Sequence, residues 1–384
     1  MGIKIPVRFF CLLPGAIARL VEKDYTFFMI LYNPATAMSM LDFGILIPIR
    51  WDKHKMIYDA LKQGALKGIP ENLWRRTPEC FGVITEEDLL RVHSQDYVRR
   101  LFSPETIDRE VILTYELVNA DGSYNRWEPS KAVRPLKDLF LRALATVGGV
   151  WECGLTALEE HAAHRGIPGF AYYFGGGMHH AMRDTGEGFC MINDVVISLR
   201  KLQAEGRIRT AWVIDVDAHK GDGTAALTRG DDSIRTLSIH MDKGWPLDAP
   251  EYSESGVYNL SYTPSDIDIG IPEGRDADYV PRLREGILNL EKLCPGPDMA
   301  LVVGGVDPYG KDELASTKPL QLTKEMLLER DMMVYDFLRE RNIPAAWITA
   351  GGYGPHSWEV YTNFLSRVIP ERLEKIYPKN VLTG

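Results

Sequence analysis

Cysteine is scarce in this chain of 384 residues. There are five, Cys11, Cys80, Cys153, Cys190 and Cys294, an odd number at wide spacings with no CxxC pair. This argues against a disulfide framework or a cysteine-rich zinc site and fits a reducing compartment. An excess of positive charge is also missing, the formal net charge being -9. A general nucleic-acid binder carries a basic face, so direct nucleic-acid binding is not expected, whereas a cationic substrate is compatible. The sequence has no apolar run long enough to span a bilayer and no repeat or low-complexity tract. What remains is 45% hydrophobic and 25% charged residues, an ordinary composition for a globular protein with a large core.

Near the N-terminus, Lys4 and Arg8 precede an apolar run over residues 9–13, and Ala16-Ile17-Ala18 follows. The pattern is similar to a secretory signal, but Pro14 and Gly15 cut the run short. The expectation is an N-terminal extension over 1–28, a single folded unit over 29–384, and a cytoplasmic protein, with a signal as the alternative.

From residue 29 onward, short apolar runs alternate with longer amphipathic ones. Residues 28–32, 170–174, 211–216, 234–239, 300–303 and 345–349 read as strands. Residues 55–67, 86–102, 136–161, 194–205, 279–293 and 323–341 read as helices. Residues 119–135, with Asp121-Gly122, Pro129 and Pro135, read as a surface loop. Strands alternating with helices, some nearly all apolar, indicate an α/β fold with a parallel sheet covered on both faces.

Polar residues cluster just after four of these strands: Gly175-Gly176-Gly177-Met178-His179-His180, Asp215-Val216-Asp217-Ala218-His219, Gly304-Gly305-Val306-Asp307 and Gly351-Gly352-Tyr353-Gly354. Ligands of open α/β sheets bind at the carboxyl ends of the strands, so the four clusters can converge. Asp217 and His219, two apart, can face one metal, with Asp307 arriving from another strand end. One histidine and two carboxylates suit a catalytic zinc with an open position, and iron(II) or manganese could occupy the same set. Taken alone, DxH is more often a loop or helix cap. The adjacent His179 and His180 are metal ligands, a proton-transfer pair, or chance. Asp215 and Asp222 are each able to orient one imidazole and raise its basicity. Tyr353, between glycines, is either a packed loop aromatic or a donor to a carbonyl that gains charge.

Taken together, these residues resemble the histone deacetylase superfamily, including bacterial deacetylase-like and acetylpolyamine amidohydrolases. Gly176 to Ala181 followed by Gly188-Phe189-Cys190-Met191-Ile192-Asn193-Asp194 is similar to its paired-histidine signature. Ile214 to Gly223 is similar to its metal-binding strand end, Gly305 to Asp312 to the segment of the third ligand, Gly351 to Gly354 to its tyrosine loop, and His93 to Tyr97 to a family helix. The resemblance covers about residues 29–361. It implies a single-domain, three-layer arginase/deacetylase fold and removal of acetyl or other acyl groups from lysine ε-amines. Asp217, His219 and Asp307 would bind one Zn2+. His179 and His180 would move protons, backed by Asp215 and Asp222, and Tyr353 would stabilise the oxyanion. Phe189, Trp245, Gly188 and Leu314 would line a channel for the acyl-lysine stem. Asp215, His219 and the backbone of Ser238 and Ile239 would hold K+.

Lys220 stands where many members have a second histidine, and residues 114–135 depart from the eukaryotic rim loop. Asp121 and Glu128 are the candidates for a rim carboxylate. The partner is therefore an acyl-lysine peptide or protein or an acylated polyamine, with no membrane and with a homo-oligomer left open. The alternatives in function are an acetylpolyamine amidohydrolase, a non-catalytic acyl-lysine binder or scaffold, and an arginase-like ureohydrolase, which would need more metal-binding carboxylates.

Overall fold

The computed structural model describes residues 29–164, 166–253 and 255–382, so the candidate signal and the extension over 1–28 lie outside the described residues. Eight strands form one sheet: β1 (Ile30–Leu31), β2 (Arg75–Arg76), β3 (Phe170–Tyr173), β4 (Ala211–Asp215), β5 (Ile234–Met241), β6 (Ile267–Ile271), β7 (Met299–Val303) and β8 (Ala345–Ile348). Their order is β2-β1-β3-β8-β7-β4-β5-β6, and every pairing is parallel. β3, β4, β7 and β8 are buried at every residue, as their near-continuous apolar sequences require.

Side chains of a strand alternate between faces, and here the two sets enter different cores. Phe170, Tyr172, Trp212, Ile214, Ala300, Val302, Ala345 and Trp347 pack with the helices Tyr279–Leu293, Lys324–Glu340 and Ser357–Ile376. Ala171, Tyr173, Val213, Leu301, Val303, Ala346 and Ile348 pack with the helices Lys137–Ala163 and Asp194–Ala204. The result is three layers. Gly149 sets the approach on the second face, since a Cβ there would lie 2.1 Å from the Tyr173 ring. No helix among the described residues is long and apolar enough to cross a membrane.

The sequence reading misses β2 and β6. β2 is two arginines, and β6 carries Asp268 and Gly270, residue types depleted in strands, so only pairing with neighbours makes them strands. The helix expected over 86–102 is two, Glu86–Leu90 and Gln95–Phe102. The Ser94 side chain caps the second by accepting from Tyr97 N at 3.3 Å. In the break, the His93 ring donates to Met182 O (2.8 Å) and accepts from Asn193 N (3.1 Å), a buried tie that outweighs helical continuity. The loop expected over 119–135 includes a Val118–Tyr124 bridge and a short turn of helix, Pro129–Lys131.

The central strands β3, β8, β7 and β4 are consecutive neighbours. Being parallel, they end at one edge of the sheet, and all four polar clusters follow them. Buried Arg330 ties two of the loops by donating through Nη1 to Val216 O (3.0 Å) and Gly305 O (2.8 Å).

Candidate active site

The segment after β4 folds through its own carboxylates. Asp215 Oδ1 accepts from Asp217 N, and Asp217 Oδ1 accepts from His219 N, both at 3.1 Å. These are two successive Asx turns, each joining a carboxylate to the N–H two residues on. β4 ends at Asp215, so this turn chemistry, not strand alternation, brings Asp217 and His219 to one side. Asp307, after β7, joins them: its Oδ1 accepts from Ala218 N at 2.9 Å and its Oδ2 lies 3.1 Å from His219 Nδ1. Ligand atoms of Asp217, His219 and Asp307 all lie within 4.8 Å of one another, and all three residues are buried.

This donor set fits a divalent metal ion. Burial works against charge on His219, yet hydrogen bonds and charge from Asp217 and Asp307 carry it up to about 10. Burial and the Asp217 charge push Asp307 up to about 6. Two buried carboxylates facing one another attract a cation, and Nδ1 is the ring atom offered to it. His219 Nε2 bonds the Ser316 hydroxyl at 2.9 Å, which fixes the ring and leaves Nδ1 for the ligand role. Ser316 was not singled out from the sequence, because it lies in a short helical turn, Ala315–Thr317, without any recognisable motif.

His179 and His180 follow the glycine loop after β3. His179 Nδ1 is 2.6 Å from Asp215 Oδ2 and His180 Nδ1 is 2.8 Å from Asp222 Oδ1, the pairing expected. The two ring centroids are 4.0 Å apart. Asp194 shapes the approach by accepting from Gly177 N (2.9 Å) and Met178 N (2.7 Å) at the start of its helix. Gly177, at φ 90°, must be glycine: a Cβ there would meet Ala350 Cβ at 2.4 Å. The environments drive the histidines apart. Burial opposes charge on His179, but Asp215 and Asp217 outweigh it and raise it to about 9. Burial, then the neighbouring His179 charge, lowers His180 to about 4.

Tyr353 sits on the loop after β8. Its N–H donates to Asp312 Oδ2 at 2.7 Å. Burial, then Asp307 and Asp217, hold its hydroxyl well above the ordinary value, so it stays a proton donor. The loop carbonyls are tied down: Lys53 Nζ donates to Ala350 O and Gly352 O, both at 3.2 Å, and the Tyr361 hydroxyl donates to Gly351 O at 2.7 Å. Lys53 is buried, and burial pushes its ammonium down to about 8. Its role too escaped the sequence, where it reads as one more charge at the start of an amphipathic helix.

A cleft leads to this centre, lined by His180, Gly188, Phe189, His219, Trp245, Leu314, Ser316, Tyr353, Glu116 and Arg126. All four expected channel residues are there. Trp245 stands edge-on to His180 at 4.4 Å and to His219 at 5.7 Å between centroids. A second cavity shares Gly188, Phe189 and Tyr353 and reaches Lys53, His54 and Arg142. Neither rim candidate, Asp121 or Glu128, lines this cleft. Asp121 Oδ1 accepts from Ser123 N and Oγ within its own turn, and Glu128 pairs with Lys131. The carboxylate lining the cleft is Glu116. Lys220, in place of a histidine, is buried and ion-paired with Asp268, away from the cleft lining. In the expected monovalent-cation set, Asp215 and Ser238 are paired across β4 and β5.

Residues 48–368 match the family model of the histone deacetylase domain. The chain is 32% identical over 213 residues to an uncharacterized protein of Picosynechococcus sp., covering 55% of this chain and 63% of that protein. It is 26% identical to histone deacetylase 2 of Arabidopsis thaliana, covering 76% of this chain and 67% of the relative. It is 28% identical to the acetoin utilization protein AcuC of Staphylococcus aureus (strain MSSA476), covering 74% and 68%. The matched region thus spans about two thirds of the length of these relatives. With a family match across most of the chain and a three-layer parallel α/β fold, this protein belongs to the histone deacetylase family.

Proposed function

We propose that the chain is a zinc-dependent amidohydrolase that removes acetyl or other acyl groups from the ε-amine of lysine, acting as one catalytic unit over 29–384. The carrying observation is a histidine–carboxylate pair and a tyrosine around a buried Asp-His-Asp cluster at the end of a cleft walled by Phe189 and Trp245. A deacetylase-type function is supported by the family match. When bound by Asp217, His219 and Asp307, Zn2+ supplies a Lewis acid for the acyl carbonyl and lowers the pKa of a water to about 7 in favourable sites.

The chain's own residues do the rest. Phe189 and Trp245 wall the aliphatic stem of the substrate and keep water from it. His180 lines the cleft and is held neutral, so it takes the proton of the attacking water. Asp222 steadies the imidazolium so formed, which then passes its proton to the departing amine. His179, with Asp215, completes the proton-holding pair. The Tyr353 hydroxyl donates to the carbonyl oxygen as it becomes negative. The products are a carboxylate and a free amine.

The proposal extends to K+ held by Asp215, His219 and the backbone of Ser238 and Ile239; Asp215, at the end of β4, pairs in register with Ser238 of β5. An acylated polyamine is the second substrate class compatible with a carboxylate at the cleft mouth. A pure acyl-lysine binder would need neither the histidine–carboxylate pairs nor the tyrosine. Release of acetate from an acetyl-lysine peptide, lost to a strong chelator and restored by Zn2+, is the expected result. Turnover indifferent to the chelator refutes the metal assignment.

A further inference from the structure

Among the described residues, four non-glycine positions have left-handed backbone, and three of them line the cleft: Glu116 (φ 51°), Arg126 (φ 48°) and Phe189 (φ 68°). Such conformations are disfavoured for residues with a side chain and persist only where the surroundings impose them. The surroundings here are a helix end and a fastened hairpin: Glu116 N donates to Leu113 O at 3.1 Å and Leu117 N to Ile112 O at 3.0 Å, closing the helix Ile107–Thr114 with a left-handed residue. Asn125 N donates to Leu117 O and Asn125 Nδ2 to Glu116 O, both at 2.8 Å. Leu46 N donates to Arg126 O at 2.8 Å, and Trp127 Nε1 to Phe43 O at 3.1 Å. The result is one carboxylate and one guanidinium at the mouth, Arg126 Nη2 to Glu116 Oε2 being 3.3 Å, with the guanidinium 5.6 Å from the Phe189 ring centroid.

As a stabilising contact this pair contributes little. Its side chains are 36% and 50% exposed. Exposed pairs of this kind add little to stability. The arrangement makes sense if the two charges act on something that enters the cleft. We propose that Glu116 and Arg126 form a clamp for a zwitterion, so that the substrate is a free ω-N-acylated amino acid such as Nε-acyl-lysine, its α-ammonium on Glu116 and its α-carboxylate on Arg126. This rests on the amidohydrolase reading and names its substrate class. An acyl-lysine within a protein presents neutral amides on both sides of its α-carbon, which can offer an N–H to Glu116 and a C=O to Arg126 but no opposite charge to either. A polyamine presents only cations, which Arg126 repels. A free amino acid carries both charges on the carbon at the far end of the stem that Phe189 and Trp245 enclose. Opening a weak exposed pair costs little, and two charge-assisted hydrogen bonds replace it.

The test compares kcat/KM of the Zn2+-loaded full chain for free Nε-acetyl-lysine, for the same compound blocked at both α-groups, and for an acetylated polyamine. The free amino acid is expected to exceed both by about tenfold or more. The difference should lie in KM, because the clamp holds atoms remote from the carbonyl equally in ground and transition states. Arg126→Gln should bring the free-to-blocked ratio toward one, and Arg126→Lys should restore part of it. Glu116→Gln should do the same for the ratio of α-amino-free to α-amino-blocked compounds. Because each result is a ratio within one protein, a loss of folded enzyme cancels. Equal turnover of free and blocked compounds, or a ratio unmoved by Arg126→Gln, overturns the clamp and leaves the hydrolase reading standing. Absence of turnover with every acylated amine overturns both.

Discussion

Gly351→Ala is a sharp perturbation of the proposed metal centre, because it adds one methyl group and removes nothing. Gly351 is outside the left-handed region, so alanine suits its backbone. Its added Cβ, however, would lie 2.5 Å from Asp217 Oδ2 and from Asp307 Cγ and Oδ2. Ordinary contact begins at 3.4 Å, so the carboxylates must retreat by about 0.9 Å. Zinc–oxygen bonds are about 2.0–2.2 Å long, and a displacement of that size takes a ligand out of range. Misplacement by about 1 Å commonly costs about a hundredfold in rate, and disturbed ligand support about 10- to 100-fold in metal affinity. Overpacking itself costs about 1–3 kcal/mol, which a domain of this size tolerates while remaining folded. Competition with a chromophoric chelator should therefore show Zn2+ affinity about a hundredfold weaker, with turnover at saturating Zn2+ down by a similar factor. A folded Gly351→Ala protein with unchanged affinity and turnover would refute the ligand assignment.

Tyr353→Phe is expected to lower kcat by about a hundred- to a thousandfold with Zn2+ binding retained, measured as acetate release, since one oxyanion donor is lost. For Lys53→Met the stability effects oppose one another. Burial lowers the Lys53 ammonium from 10.5 to about 8, which corresponds to about 3 kcal/mol relieved on removing the charge, while two loop carbonyls lose their donor at about 1–3 kcal/mol each. The melting temperature should move little while turnover falls about tenfold as the Tyr353 loop loosens; unchanged turnover would exclude the positioning role. His93 predicts acid lability away from the metal. Burial lowers it from 6.5 to about 4, so below pH 6.5 the unfolded chain binds the proton more readily than the folded one. Its stabilising contribution is complete above pH 6.5 and declines as pH falls toward 4, by about 3 kcal/mol in all. Denaturant titrations of His93→Gln should show a shallower dependence across that window; an identical slope would place the lability elsewhere.

Much of this protein was legible in its sequence. The apolar runs of β3, β4, β7 and β8 are recognisable because strands buried on both faces are nearly continuous apolar sequences. The Asp217, His219 and Asp307 set was nameable as a candidate because its residue types carry metal chemistry, and the His179–Asp215 and His180–Asp222 pairs were nameable through the resemblance to a known family. What the chain alone could not decide is which strand ends lie side by side. That depends on the order β3-β8-β7-β4, which links segments far apart in sequence. Nor could it identify Lys53, whose ammonium meets carbonyls 297 and 299 residues away, or the Ser316 hydroxyl on His219, 97 residues away. Glu116 and Arg126 lay hidden for a related reason: a charge in a polar loop looks like any solvated charge until a hairpin turns it toward a cleft. Local patterning thus determined which residues could do chemistry, while long-range packing, which satisfies buried polar groups only in the folded chain, decided which of them meet.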